Sequence, residues 1–251
     1  MTFMVLPLLL IVFLPESPRY LVLTGREAEA KSVLSALNEE SPEDEDIHRE
    51  FLMIKNTLLT MTSGGVKEAF TMGKYRYVHR TFLAVVLQVM QQFTGVNLFI
   101  QYLGGMFHNQ LKYPITMALL LAAICSTVFF LASLVAVVGI DRFWGRRTLT
   151  MVGASGMCLC MTLMAILEHA STQKAHYAMT AFLFVYCSCF AIGWQGMSWL
   201  WAVELIPLCT RGPANALATA ANWLANFAVV MATPAMFTNI HYRIYIVFAV
   251  T

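Results

Sequence analysis

The chain has 251 residues, 59% of them hydrophobic and 12% charged, with a mean hydropathy of +0.66. Soluble domains carry about 25% charged residues, and one water-soluble core of this size could not hide so much apolar side chain, so the composition excludes a single globule and indicates a polytopic membrane protein. The formal net charge of +2 identifies no partner, and no basic stripe marks a nucleic-acid surface.

The opening "MTFMVLPLLLIVFLPESPR" looks superficially like a signal peptide. It lacks a basic start and a small-residue cleavage site, so it reads as membrane helix. Residues 2–14 are apolar but fall short of the about 20 residues that cross a bilayer, and Pro15 and Pro18 in "PESPRYL" stop that helix. Residues 19–80 are polar and acidic in the middle ("NEESPEDEDIHRE"). Within them "REAEAKSVLSAL" and "DEDIHREFLMIKNTLL" predict two amphipathic helices, the second with Asp44 to Asp46 at its N-terminus, where negative charge meets the positive end of the helix dipole.

From about residue 81 the apolar pattern resumes. It predicts spans near 81–107, 115–139, 148–168, 177–205 and 213–237, then a final apolar run, "YRIYIVFAVT". Thirteen of the 16 Lys and Arg fall in 15–80 and in every second connection after it, where Arg142, Arg146, Arg147 and Arg211 lie; Lys112, Lys174 and Arg243 occupy the alternate side. The positive-inside rule therefore makes 15–80 cytoplasmic, together with the "DRFWGRR" and "TRGP" loops. The six cysteines (Cys125, Cys158, Cys160, Cys187, Cys189 and Cys209) lie in or beside apolar segments without disulfide or metal spacing, and read as packing residues. One partial span, five full ones and one begun span look like a piece of something larger.

Four motifs follow in order: "PESPRYL" (15–21), "QQFTGVN" (91–97), "DRFWGRR" (141–147), and "VELIPLCTRG" (203–212) with "NW" (222–223). Together, at these spacings, they resemble the sugar porter family of the major facilitator superfamily, and "GPANALATAANWLANFAVV" is similar to fungal members. The resemblance covers nearly the whole chain. It implies an all-α fold of two six-helix membrane bundles joined by a cytoplasmic helical segment. On that scheme residues 1–14 are the end of the sixth helix, 15–80 the cytoplasmic linker, and 81–251 the second bundle, helices seven to eleven and the start of twelve. A first bundle would be the missing partner.

The resemblance also places Glu16, Arg19, Asp141, Arg142, Arg146, Arg147, Glu204 and Arg211 in a salt-bridge network that clasps the bundles on the cytoplasmic side. Helix-end snorkelling and plain topology account for such arginines as well. Glu204 needs a named partner near the membrane boundary, and Arg146 or Arg211 is expected. The family pattern D-R-x-G-R-R has one extra residue here, which turns Arg146 and Arg147 by about 100° relative to Asp141.

Amides are costly in a bilayer, yet Gln88, Gln91 and Gln92 share one helix face at i, i+3 and i+4. Asn97 joins that side only if the backbone unwinds near Gly95, and Gly104–Gly105 offers a second flexible point. Asn222 and Asn226 stack at i, i+4 with Trp223 beside them, while Gln195 and Trp199 share another face near Trp194. Neutral amides suit a polyhydroxylated ligand, and interrupted helices are a known way to build a transporter site. By resemblance, Gln91, Gln92, Asn97, Trp199, Asn222 and Asn226 fall on the family's sugar-contact positions. The competing reading is that these amides only glue helices together.

Several positions depart from the family: Gln101–Tyr102 stands for paired tyrosines, Ala191 for a glutamate of some glucose carriers, "GWQGMSW" lacks proline, and the eighth-helix asparagine is not evident in "AAICSTVFFLASL". Glucose specificity is therefore not supported. Glu168, His169 and His176 lack metal-ligand spacing, no catalytic constellation or phosphate loop occurs, and no cofactor is expected. The expectation is an integral plasma-membrane protein, not an enzyme, that carries a sugar or polyol by alternating access. The acid that couples protons in symporting relatives belongs to the first bundle, so symport and facilitated diffusion stay open. The rival readings are a truncated, non-transporting fragment and a transporter-like sugar sensor.

Overall fold

The computed structural model describes Leu9, Ile11 and residues 13–62, 66–71, 76–142, 145–170, 172–240 and 242–250; the side chains of Val66, Asp141 and Arg142 are not among what it describes. Most of the expected opening span, residues 1–14, thus lies outside the described residues. All regular structure among them is helical. The chain divides into two compact units, Met1–Glu68 with Leu208–Gly212, and Ala69–Pro207 with Pro213–Thr251.

In the first unit α1 (Pro18–Leu23), α2 (Glu27–Asn38) and α3 (Glu45–Thr62) pack on one another, followed by the single turn α4 (Val66–Ala69). Ala30 and Leu34 on α2, and Ile47 and Phe51 on α3, recur at i, i+4 and close with Leu21 into one small core. Both amphipathic helices lie where their periodicity placed them, and each opens on acids: Glu27 and Glu29 in α2, Glu45 and Asp46 in α3. Helix α1 is a correction. "PESPRYL" stops the preceding apolar run, but Pro18 also occupies the first turn of a new helix, where its missing N–H costs nothing. The 3₁₀ turn Leu208–Thr210 packs against α3 within this same unit.

The second unit holds α5 (Tyr77–Phe93), α6 (Val96–Gly105, continued as a π-helical turn through Met106–Gln110), α7 (Ile115–Arg142) and α8 (Arg146–Ala170). Next come α9 (Gln173–Phe190, with a π-helical end at Ala191–Gln195), α10 (Met197–Leu205), α11 (Arg211–Ile240, in this unit from Pro213 on) and α12 (Arg243–Val250). Among the described residues, five stretches are long and apolar enough to cross a membrane: Tyr77–Gln110, Ile115–Ile140, Arg146–Ala170, Gln173–Leu205 and Leu208–Ile240. They coincide with the five expected spans and exceed them by one to five residues at one or both ends. Helix α7 is apolar all round, with Leu119, Phe130, Val137 and Val138 exposed, as a lipid-facing helix requires.

Helix α8 is the hub, packing along α9, against α12 and against the π-helical end of α9. Two glycines make the last contact. A Cβ on Gly193 would sit 2.6 Å from the Gly153 Cα and 3.0 Å from the Leu149 carbonyl oxygen, so the two backbones touch with no room for a methyl group. Cys125, Cys160 and Cys187 fill the core of this unit beside Met161, Met164 and Phe190. A second patch joins α5, α10 and α11 through Ala84, Ala202, Ala214 and Ala218, while Ala216, Ala220 and Ala221 of α11 are not buried.

Candidate functional site

Every polar residue on the inner face of α5 is buried: Gln88 is 0% exposed, Gln91 5% and Gln92 7%. Helical spacing explains why they converge, and α11 explains what they meet. Ala214, Ala218 and Asn222 fall on one stripe at intervals of four, so the small alanines let α11 approach α5 and deliver Asn222, 2% exposed, onto the glutamines. The Asn222 amide nitrogen lies 2.8 Å from Gln88 Oε1, 3.1 Å from the Gln88 carbonyl oxygen and 3.2 Å from Gln91 Oε1. The Gln91 amide in turn reaches the carbonyl oxygen of Trp194, at 3.5 Å, on the π-helical end of α9. One belt of amides therefore ties three spans together.

Two donors of this region stay without a partner among the described residues: the buried nitrogens Gln88 Nε2 and Trp194 Nε1. Such a group costs about 1–3 kcal/mol where water cannot reach it.

The interruption expected at "FTGVN" is present. Helix α5 ends at Thr94, Gly95 takes a left-handed conformation (φ 82°), and α6 restarts at Val96. Glycine is required twice over, since a Cβ there would be strained and would lie 2.7 Å from Phe248 Cγ on α12. Because the Leu98 N–H bonds to the Gly95 carbonyl, the carbonyl of Thr94 is released from the helical ladder. It accepts instead from the hydroxyl of Tyr186 on α9, at 2.7 Å. The turn brings Asn97 back beneath Gln92, and the Asn97 amide donates to Gln92 Oε1.

The remaining expected residues lie apart from this belt. Asn226 is half-buried and makes no hydrogen bond to another described residue, while Trp199 is 39% and Trp223 63% exposed. Gln195 and Gln101 are also exposed, whereas Tyr102 donates to the Val230 carbonyl oxygen of α11 at 3.2 Å. The second flexible point lies where expected, for the α-to-π change follows Gly105 directly. The segment that lacks the family's proline is interrupted all the same, by the π-helical turn and Gly196.

Among the expected charges, Glu204 pairs with Arg146, one of its two expected partners, at 2.9 Å. Arg147 is exposed in the second unit; Glu16 and Arg19 are exposed and Arg211 half-buried in the first. Pairing by Asp141 and Arg142 lies outside the described side chains.

Three contributors carry little or no signal in the sequence. Gln88 shares the expected helix face, but its role as the main acceptor for Asn222 needs the partner helix. Tyr186 carried no signal, because a tyrosine in an apolar run has no periodic signature. The indole of Trp194 was grouped with Trp199, although it is its backbone oxygen that meets Gln91.

A family model described as "Sugar (and other) transporter" matches residues 1–251. Among curated proteins, the chain is 29% identical to Sugar transporter STL1 of Saccharomyces cerevisiae over 94% of its own length and 42% of that protein's. It is 33% identical to MFS-type transporter oryC of Aspergillus oryzae over 95% of its length and 46% of that protein's. Its fold matches a solved structure of the proton:xylose symporter XylE bound to 6-bromo-6-deoxy-D-glucose, with a TM-score of 0.75 at 26% identity, covering 98% of this chain and 51% of that one. A partially occluded, inward-open form of the xylose transporter XylE from E. coli gives 0.73 at 25% identity, over 98% and 49%. The chain thus spans about half the length of the relatives it matches.

Proposed function

Because the chain belongs to the sugar transporter family and is an all-α, integral membrane half-bundle of the major facilitator type, we propose that it serves a carrier moving a sugar or polyol by alternating access. The observation that carries this reading is the buried amide belt with its two unpartnered donors, Gln88 Nε2 and Trp194 Nε1. Helix glue alone would leave no N–H unsatisfied in hydrocarbon, whereas a hydroxyl-rich ligand supplies the missing acceptors.

On this reading Gln91, Gln92, Asn97 and Asn222 are the polar wall, Asn226 adds a free amide, and the exposed Trp199 offers a ring to the C–H face of the ligand. The break at Gly95 lets α6 tilt without disturbing α5. Glu16, Arg19, Asp141, Arg142, Arg146, Arg147, Glu204 and Arg211 act on the cytoplasmic side, with residues 15–80 cytoplasmic and the plasma membrane as location. Proton symport is a second reading, favoured by the likeness to a proton:xylose symporter.

Calorimetric titration of the purified chain in lipid nanodiscs with D-xylose, D-glucose and sorbitol tests the proposal. Gln92→Ala and Asn97→Ala are expected to weaken binding by at least tenfold while the folded yield stays within twofold of the parent. Equal loss of binding and folded yield would instead make these amides interhelical glue. A bound ligand that releases or takes up protons, read as buffer-dependent heat, supports coupling.

A further inference from the structure

We infer that the protein carries an outer polyol subsite, separate from the amide belt, in the cleft between the π-helical turn of α6 and the C-terminal end of α11. This cleft, about 460 Å³, is lined by Tyr102, Gly105, Met106, Asn109, Gln110, Phe237 and Thr238, and is of a size that holds a small ligand. Its base is apolar: Met106 is 3% exposed and Phe237 half-buried. Its rim is polar, and each polar group has capacity left over. Asn109 is exposed and makes no hydrogen bond to another described residue. Gln110 accepts from the Tyr245 hydroxyl at 3.2 Å through its oxygen, which leaves its NH₂ group to donate. Tyr102 and Thr238, both lining the cleft, spend their protons on backbone carbonyls of α11, so either hydroxyl oxygen can serve a ligand only as an acceptor. Two amide donors and two hydroxyl acceptors beside the Phe237 ring match a polyol, with alternating donors and acceptors over an apolar C–H face; they offer no fixed charge to an ion.

The π-helical turn widens the helix after Gly105. Asn109, four residues on, lies beside Gly105, where a Cβ would come within 3.8 Å of Asn109 Nδ2. Asn109 lies twelve residues beyond Asn97, about 18 Å along a helix at 1.5 Å per residue, so one small ligand cannot occupy both places. The subsite lies at the end of the bundle opposite Arg146, Arg147 and Glu204. It holds a polyol before or after its stay at the amide belt, and it rests on the carrier reading above.

Phe237→Trp puts a reporter ring in the cleft, while the chain's own tryptophans report on the belt through Trp194 and Trp199. Titrating the full chain in nanodiscs with sorbitol should give a saturable change in the Phe237→Trp emission. Its midpoint should rise at least fivefold with Asn109→Leu or Thr238→Val and stay within twofold with Gln92→Ala; circular dichroism confirms that each variant is folded. If only the native tryptophans respond, the outer subsite is overturned and the carrier reading stands. A midpoint moved by Gln92→Ala but not by Asn109→Leu also overturns it, and no response from either set overturns both.

Discussion

The two units hold helices together by opposite means. In the first, α2 and α3 bury Ala30, Leu34, Ile47 and Phe51 and turn charge outward, with Lys55 paired to Glu27 at 2.8 Å and Lys31 placed 5.0 Å from the Phe51 ring. This is ordinary hydrophobic association in water. In the second, Leu224, Phe227 and Met231 of α11 are exposed while Asn222 on the same helix is 2% exposed. Lipid removes the drive to hide leucine, so contact between spans comes from small residues that let backbones touch and from amides that cannot face hydrocarbon. The same residue type changes its task accordingly: Asn38 bonds Glu50 on an exposed surface, whereas Asn222 is the node of a buried belt.

If that contrast is right, the largest effect should come from emptying the water-driven core. Phe51→Ala is expected to cost about 3–5 kcal/mol, enough to unfold the first unit while the spans persist. Hydrogen exchange should then show α2 and α3 unprotected and α8 and α9 unchanged. Gly193→Ala reverses the logic by adding one methyl group between α8 and α9. We expect about 1–3 kcal/mol of destabilisation in a denaturant titration of nanodisc-held protein, most of it recovered by no compensating change at Gly153, which is already glycine.

A smaller loss should follow Asn222→Ala. Interhelical hydrogen bonds in membranes average about 0.6 kcal/mol and reach about 1.7, and a double-mutant cycle with Gln88→Ala would measure the shared part. A coupling of zero would separate the two residues. Smallest of all should be Lys55→Gln, which removes a half-exposed ion pair worth about 0.2–1 kcal/mol, an effect that 1 M salt should erase. Nearby, the carboxylate of Glu29 raises the pKa of Arg26 above its ordinary value, chiefly through their hydrogen bond.

How much of this was legible follows from where each signal resides. Helices α2 and α3 were readable because Ala30/Leu34 and Ile47/Phe51 repeat at the helical period behind acidic first turns. The break in the first full span was readable because Gly95 sits between amides that only an unwound backbone brings together. Helix α1 was not, since Pro18 can end one helix and begin another, and the sequence does not say which. Arg146 as the partner of Glu204 was narrowed to two candidates but needed the fold to choose. The π-helical turns had no local signature beyond Gly104 and Gly105; the contact of Gly193 with Gly153 at the second of them exists only once the bundle has folded. Tyr186 was invisible because its acceptor, the Thr94 carbonyl, exists only once the helix is broken.

The contact between Gly95 and Phe248 also bears on assembly. Phe248 lies in α12, so the ring that closes over the break is made 153 residues after Gly95 itself. Until then α5 and α6 reside in the bilayer with their amides inserted and their joint unsupported. The break acquires its final form when α12 docks on α8, so an early polar seam becomes a defined one only after four further spans have been made.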